Sequence, residues 1–304
     1  MIPGWEGRDA GGWAEVLGVP RLELLEEVDS TNTRLRALAT GGTPPFTTVV
    51  AHAQRAGRGR EGRSWRSEGG AGLWISVLLP MPPGGPPGVA TLAVGVAVAE
   101  AVERLGGEGG GGGGGGGRPG GQVGLKWPND VMVVAPGGTG VGKLAGILCE
   151  VAGGGEGGGA GGIVAGVGVN LRAALHPLPS GVGPGPAGGV REFPAADLET
   201  LLGEPVLPSE LARHLVRALR HLVDPPPARL EGRLRAAWEA RDLLPGTLVE
   251  VTPGPRGVVR GVGDDGALLV EAQEEASLQP AGTGQAAGGR GDVVPVRAGR
   301  VRWI

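Results

Sequence analysis

The segment Gly57-Arg58-Gly59-Arg60-Glu61-Gly62-Arg63-Ser64-Trp65 constrains this chain more than any other. Arginine brings a permanent charge and a planar fork of donors that matches carboxylates and phosphates. The interleaved glycines let the backbone bend closely around a ligand, at an entropic cost. Strand-like sequence flanks the segment on both sides, from Phe46 to Gln54 and from Leu73 to Leu79, rich in β-branched or bulky apolar residues and bounded by Gly or Pro. Arg-Gly segments also serve as solvated nucleic-acid tethers. A short one held between two sheet strands is placed instead to close over a pocket. The net charge of −3 argues the same way, because a general nucleic-acid binder usually carries a basic excess.

The 304 residues are enough for one large domain and a small one. Cys149 is the single cysteine, so no disulfide can form within the chain and a reducing cytoplasm fits. The first residues carry no charged-then-apolar leader. The apolar stretch Val89 to Val102 is too short to span a bilayer and contains Glu100. These features predict a soluble cytoplasmic protein with no membrane partner. Glycine is the anomaly, at 65 residues, much of it in runs at 106–121, 153–162 and 181–189. Such runs cannot bury apolar surface and read as flexible insertions.

Leu22 to Val28 reads as a strand, and Asp29-Ser30-Thr31-Asn32 supplies capping residues for a helix that ends at Gly41. Val89 to Leu105 reads as a buried helix. Val123 to Val134 and Lys143 to Val151 read as two strands, and Ile163 to Leu171 as a third. Leu211, Leu215, Val216, Leu219, Leu222 and Val223 recur at helical spacing after a capping Ser209, and a further helix fits Ala228 to Arg241. After about Pro245 the pattern turns to short strands: Thr247–Thr252, Arg256–Val262, Gly266–Glu271 and Val293–Ile304, with a hairpin turn at Gly263-Asp264-Asp265-Gly266. The predicted fold is α+β. Residues 1–20 form a flexible N-terminal segment, 21–245 a mixed sheet with flanking helices, and 246–304 a small SH3-like β module.

Lys126-Trp127-Pro128-Asn129-Asp130 is the second dense motif, with Pro128 breaking the ladder between apolar residues. An edge strand with a bulge is its ordinary structural reading. Gly137 to Lys143 imitates a phosphate-binding loop, but Leu144 stands where a magnesium-binding Ser or Thr belongs, and too little helix follows. It is read as a β-hairpin, with Lys143 free to meet an anion. Ser30, Thr31 and Asn32 are either helix caps or short donors and acceptors for a neutral polar ligand. Gln54 sits at the mouth of the Arg/Gly loop, and Asn170 ends the strand Gly166-Val167-Gly168-Val169-Asn170. The histidines are scattered, with neither zinc-ligand spacing nor a catalytic triad. Several cations (Arg58, Arg60, Arg63, Lys126, Lys143), small polar groups and no obvious nucleophile suit activation of a carboxylate by ATP, where positioning and charge neutralisation do most of the work.

In this order, Asp29 to Asn32, Gln54 to Trp65, Lys126 to Asp130, Lys143 to Ile147 and Gly166 to Asn170 resemble the motifs of the biotin–protein ligases. The resemblance runs from about Leu22 to the C-terminus. It implies the class II synthetase-like catalytic domain and a two-step reaction. Biotin and MgATP give biotinyl-5′-AMP and pyrophosphate, and the biotinyl group then passes to one lysine of a biotin carboxyl carrier domain, typically of acetyl-CoA carboxylase. By motif, Ser30, Thr31, Asn32, Gln54 and Gly146 are implied in holding biotin, and Arg58, Gly59 and Arg60 in wrapping carboxylate and phosphate. Trp65 is implied in covering the intermediate near the adenine, Lys126 and Lys143 in contacting acyl-phosphate oxygens, and Asn170 in lying near the adenine. Asp130 is the candidate for assisting the acceptor lysine or Mg²⁺, and Arg297 resembles a C-domain arginine that reaches ATP. Glu61 departs from the family pattern and is expected to point outward. Bifunctional relatives carry an N-terminal helix-turn-helix; the first twenty residues are too few for one, so DNA binding is not expected. A homodimer through a sheet edge stays open. The nearest alternative is a lipoate–protein ligase, which shares the fold and the adenylate chemistry.

Overall fold

The computed structural model describes residues 2, 4–82, 87–108, 121–138, 140–153, 161–172, 193–273 and 292–304. The glycine-rich insertions expected at 106–121, 153–162 and 181–189 lie largely outside them. The described elements are α1 (Ala10–Leu17), β1 (Leu22–Val28), α2 (Thr31–Ala39), β2 (Thr48–Gln54), β3 (Gly72–Pro80), α3 (Pro87–Glu108), β4 (Gln122–Lys126), β5 (Asp130–Val134), β6 (Val141–Ala152), β7 (Gly162–Asn170), α4 (Leu198–Leu202), α5 (Pro208–Val223) and α6 (Gly232–Glu239). The small module follows with β8 (Leu248–Thr252), β9 (Arg256–Val262), β10 (Leu268–Ala272), β11 (Val293–Val296) and β12 (Arg300–Trp303).

Strands β1 to β7 form one sheet in the order β1-β2-β3-β7-β6-β5-β4. Only β1 and β2 pair in parallel; every other neighbour is antiparallel, which makes the sheet mixed, as expected. One face is thoroughly apolar. Leu73, Ile75, Val77 and Leu79 of β3 and Ile163, Ala165, Val167 and Val169 of β7 alternate onto it and are covered by two helices packed side by side, α5 against β3 and α3 against β4 to β7. At roughly 25 cal/mol per Å² of apolar surface, this layer supplies most of the folding drive. Helix α2 covers part of the other face, where Leu35, Val49, Leu78, Ala152 and Val164 form a smaller core. The rest of that face is left for the site. Strands β8 to β12 make a second, antiparallel sheet, consistent with the SH3-like module.

Three sequence expectations need correction. Val123 to Val134 is a tight hairpin, not one strand: β4 and β5 pair antiparallel around Trp127-Pro128-Asn129. A proline that cannot donate to a ladder sits where the chain reverses. Val293 to Ile304 is likewise two strands, broken at Gly299, whose φ of 135° no side-chain-bearing residue readily adopts. Residues 1–20 are not merely a flexible lead. Asp9 caps α1 by accepting from the Gly12 N–H at 2.8 Å, and Gly18 closes it in the left-handed region. Trp5 is 2% exposed and meets Trp13 edge to face at 5.3 Å. Two glycines inside α1 mask it in the sequence. Smaller adjustments follow the same logic: Ser209 lies one residue inside α5, buried, with Leu207 and Pro208 at the helix start, and α6 begins four residues after Ala228.

Candidate active site

Cross-strand register builds the site. Lys126 of β4 pairs with Asp130 of β5, Asp130 with Gly146 of β6, and Gly146 with Gly168 of β7. Directly opposed residues share a face, so one row across the sheet carries a cation, an anion and two bare backbone positions. Two residues along, Leu148 pairs with Gly166, and Gly166 with Ser76 of β3. A register shift between Val131 and Met132 leaves Leu144 unpaired. That extra residue reverses the alternation of β6 and brings Lys143 onto the site face while Leu144 is fully buried.

The glycines on this floor are there for close approach. A Cβ on Gly168 would stand 2.5 Å from Trp65 Nε1, and one on Gly146 would stand 2.7 Å from the Trp65 ring. The indole therefore lies flat on the sheet, with Lys143 Nζ 5.2 Å from its ring centroid. A Cβ on Gly166 would stand 2.1 Å from Asn32 Oδ1. The Arg/Gly loop itself closes on a Gly57–Trp65 backbone hydrogen bond of 2.8 Å and a short turn at Arg60–Gly62.

The resulting cavity, of about 260 Å³, is lined by Ser30, Thr31, Asn32 and Gln54 at one end and by Arg60, Arg63, Lys126, Lys143 and Arg300 at the other, while the Arg58 side chain stays near Asn32 through the Glu150 carboxylate that both contact. Gly59, Trp65, Asp130 and Gly146 also line it. Thus 12 of the 14 expected site residues converge. The neutral end is a donor–acceptor chain. The Thr31 N–H donates to Gln54 Oε1 at 2.8 Å, and Gln54 Nε2 donates to Ser67 Oγ at 2.7 Å. The buried Ser76 hydroxyl lies 2.7 Å from Asn32 Oδ1 and 2.8 Å from Thr31 Oγ1. With one proton it donates to the amide oxygen, which can only accept, and it accepts from Thr31. Ser30 begins α2 but makes no side-chain cap, which leaves its hydroxyl to the cavity.

At the charged end, Lys143 Nζ lies 2.6 Å and Lys126 Nζ 3.8 Å from the Asp130 carboxylate. Arg60 donates to Asn129 Oδ1 at 3.3 Å, and Asn129 in turn donates to the Ile147 carbonyl at 3.0 Å. Burial pushes the Lys126 ammonium below the ordinary lysine range, against which Asp130 acts. Asp130→Asn removes the opposing charge, so Lys126 deprotonates at lower pH still. The alkaline limb of the pH–rate profile is expected to move to lower pH in this variant; an unmoved limb would separate Lys126 from the chemistry. Burial pushes the Cys149 thiol up to about 11, which makes it a poor nucleophile.

The two expected residues that stay outside are informative. Asn170 donates to the Lys143 and Ala196 carbonyls at 3.3 and 3.1 Å, so it pins the strand that carries Lys143 rather than lining the cavity. Arg297 is exposed and pairs with Asp265 at 2.6 Å. The C-terminal module sends Arg300 into the cavity instead, beside Gly299 and Val301. Glu61 does not simply point outward: it faces Arg300 at 3.5 Å and Arg63 at 3.6 Å. The module is held there partly by Trp127, whose buried indole donates to the Gly266 carbonyl at 2.9 Å. Ser76, Ser67, Asn129 and Arg300 are the participants that sequence reasoning missed.

A mixed sheet with a glycine-floored cleft, neutral donors at one end and clustered cations at the other, and a small β module at its mouth define a ligase-type acyl-activating domain. This chain belongs to the biotin/lipoate A/B protein ligase family, whose model matches residues 24–170. It is similar to the biotin–[acetyl-CoA-carboxylase] ligase of Mycobacterium tuberculosis, with 32% identity over 267 residues, 84% of each chain. The enzyme of the same name from Paracoccus denitrificans is 32% identical over 269 residues, covering 85% of this chain and 97% of that one. Among solved structures, the Aquifex aeolicus biotin protein ligase in complex with biotin and ATP shares the fold, with a TM-score of 0.64 at 23% identity over 93% of this chain and 97% of that one.

Proposed function

We propose that this protein is an ATP-dependent biotin–protein ligase. It forms biotinyl-5′-AMP and then transfers the biotinyl group to a lysine of a biotin carboxyl carrier domain of the acetyl-CoA carboxylase type. The observation that carries the reading is the polarity of this cavity: Ser30, Thr31, Asn32 and Gln54 suit a neutral ring system rich in donors and acceptors, and the clustered cations suit two anions held together.

In the first step a biotin carboxylate oxygen attacks the α-phosphorus of ATP, the bond to the bridging oxygen breaks, and pyrophosphate leaves with its electron pair. Arg58, Arg60, Lys126 and Lys143 offset the charge of the two approaching anions, which would otherwise repel. Asp130 holds the two ammonium groups in place. The Arg/Gly loop borders the mixed anhydride and Trp65, packed on the glycine floor, forms part of its bed; the Trp65 indole N–H is buried with no acceptor among the described residues, and fits an acceptor on a bound ligand. In the second step the acceptor ε-amine attacks the acyl carbon, AMP departs, and the amine's proton passes to a carboxylate or water.

The donor set does not make a resident metal site: no cluster of three metal-capable side chains exists among the described residues. Mg²⁺ would arrive on the triphosphate, as that ion prefers. No described helix is long and apolar enough to cross a membrane; a cytoplasmic setting agrees with the single cysteine, and the lack of a DNA partner with the acidic charge balance. A second copy could pair along β1, an outer strand of the sheet.

Pyrophosphate release with ATP plus biotin, compared with ATP plus lipoate, tests the reading. Release with biotin and not with lipoate is expected, followed by label on a carrier-domain lysine; no release with biotin would overturn it.

A further inference from the structure

Lys126 and Lys143 are the only lysines of the chain; of its 28 lysine and arginine residues, 26 are arginine. The difference is chemical. A guanidinium stays protonated in proteins and accepts no acyl group, whereas a lysine amine accepts one whenever it has lost its proton. Arg60, Arg63 and Arg300 therefore offer the cavity charge without offering a nucleophile. The two lysines are the exception, and both line the cavity in which an acyl-adenylate would form. Both also meet one carboxylate: Lys143 Nζ stands 2.6 Å and Lys126 Nζ 3.8 Å from Asp130. The Asp130 side chain is only 15% exposed, so water screens these contacts less than it would on the surface.

We propose that Asp130 guards these two amines from acylation: it keeps them as ammonium groups, so that the acceptor protein's lysine is the only free side-chain amine the acyl-adenylate meets. This rests on the reading of the protein as a biotin–protein ligase. In the reaction held off, an unprotonated Lys126 or Lys143 nitrogen attacks the biotinyl carbonyl carbon. The bond from that carbon to the phosphate oxygen breaks, AMP leaves with the electron pair, and the amine's proton passes to solvent. The product is an amide that removes a cation from the site for good. Burial favours this loss, because it pushes Lys126 below the ordinary lysine range. Lys143 and Arg63 push the same way as like charges, and among the described residues Asp130 opposes them. The acyl-adenylate brings a single negative charge, which the three arginines share, so it does not replace a carboxylate 2.6 Å from Lys143.

Asp130→Asn tests the guard on the full chain, with biotinyl-5′-AMP supplied ready-made so that the variant's own rate of activation does not matter. Arg66→Lys, at an exposed position off the cavity wall, supplies an ordinary surface amine as a yardstick. Peptide mass spectrometry reads the biotin on each lysine. In wild type Lys126 and Lys143 are expected to stay unlabelled, while the yardstick amine is labelled. In Asp130→Asn, labelling of Lys126 or Lys143 is expected to rise about tenfold or more, because losing an opposite charge at this range multiplies the free-amine fraction by about that much. It should also grow with pH and saturate with biotinyl-AMP, as reaction from a bound reagent does. Site lysines labelled as fast as the yardstick in wild type would overturn the proposal. So would an unlabelled Asp130→Asn, or labelling that rises linearly with reagent, which a merely loosened fold would give. If wild type does not bind biotinyl-AMP by calorimetry, it is the biotin reading itself that fails.

Discussion

Lys143→Ala is expected to slow adenylate formation by about 10²–10³, the loss typical of deleting one preorganised donor to a developing charge, with the fold intact. The position of this lysine is set by the bulge in β6, which turns Lys143 to the site while Leu144 stays in the core. Its ammonium is anchored at 2.6 Å to Asp130 and stands beside Trp65, so it is oriented before any ligand arrives. The side chain is 28% exposed, so removing it leaves no deeply buried partner unpaired, and Asp130 keeps Lys126 at 3.8 Å. The stability cost should therefore stay near the ~0–1 kcal/mol of exposed ion pairs. Single-turnover pyrophosphate release, paired with thermal unfolding, distinguishes the two effects. A near-normal rate would remove Lys143 from the chemistry, and a collapsed melting temperature would mean that it holds the fold. Lys143→Arg should not restore the rate, because a planar fork does not substitute for a compact ammonium in a slot between a carboxylate and an indole.

The site was legible in the sequence wherever a contact is encoded by residues close together in the chain. Arg58, Arg60 and Trp65 stand in one loop, and Lys126 and Asp130 close one hairpin, so their convergence followed from motif order. What escaped is set by long-range strand pairing. Glu150 meets Asn32 and Arg58 across 118 and 92 residues. Ser76 meets Thr31 and Asn32 because β3 and β7 adjoin in the sheet, a pairing that no local pattern encodes. Gly299 turns the chain between Arg297 and Arg300, so the first pairs with Asp265 outside and the second enters the cavity. The hairpin at Trp127-Pro128-Asn129 was taken for strand because apolar residues continue through it; the buried Trp127 faces the C-terminal module there, not a strand neighbour. Strand and helix identities elsewhere held because periodicity reports burial directly, as in α5, whose apolar stripe is fully covered.

Gly166→Ala is the other substitution with a large expected effect, and it acts without touching a single charged group. Gly166 has no left-handed backbone requirement, so alanine costs nothing in conformation, and the ladder of β7 with β3 and β6 can remain whole. The whole penalty is the added methyl, which would stand 2.1 Å from Asn32 Oδ1 and 2.8 Å from its Cγ. Asn32 cannot swing aside cheaply, being held by Ser76 at 2.7 Å, the Leu148 carbonyl at 3.1 Å and Glu150 at 2.9 Å. Displacing it overpacks a tight site, at about 1–3 kcal/mol, and strips the buried Ser76 hydroxyl of its acceptor, at about 1–3 kcal/mol. Biotin affinity should fall by about two orders of magnitude or more, by calorimetry. Gly168→Ala, two residues along the same strand, offers the contrast: its methyl would meet the Trp65 indole instead, 2.5 Å from Nε1. That variant should bind biotin nearly normally but release the adenylate quickly, because the indole is displaced while Asn32 keeps its place. If Gly166→Ala binds biotin as wild type does, Asn32 is not part of the ligand-binding wall; if the two variants fail identically, the floor of the cleft acts as one unit and the division into a neutral and a charged end is wrong.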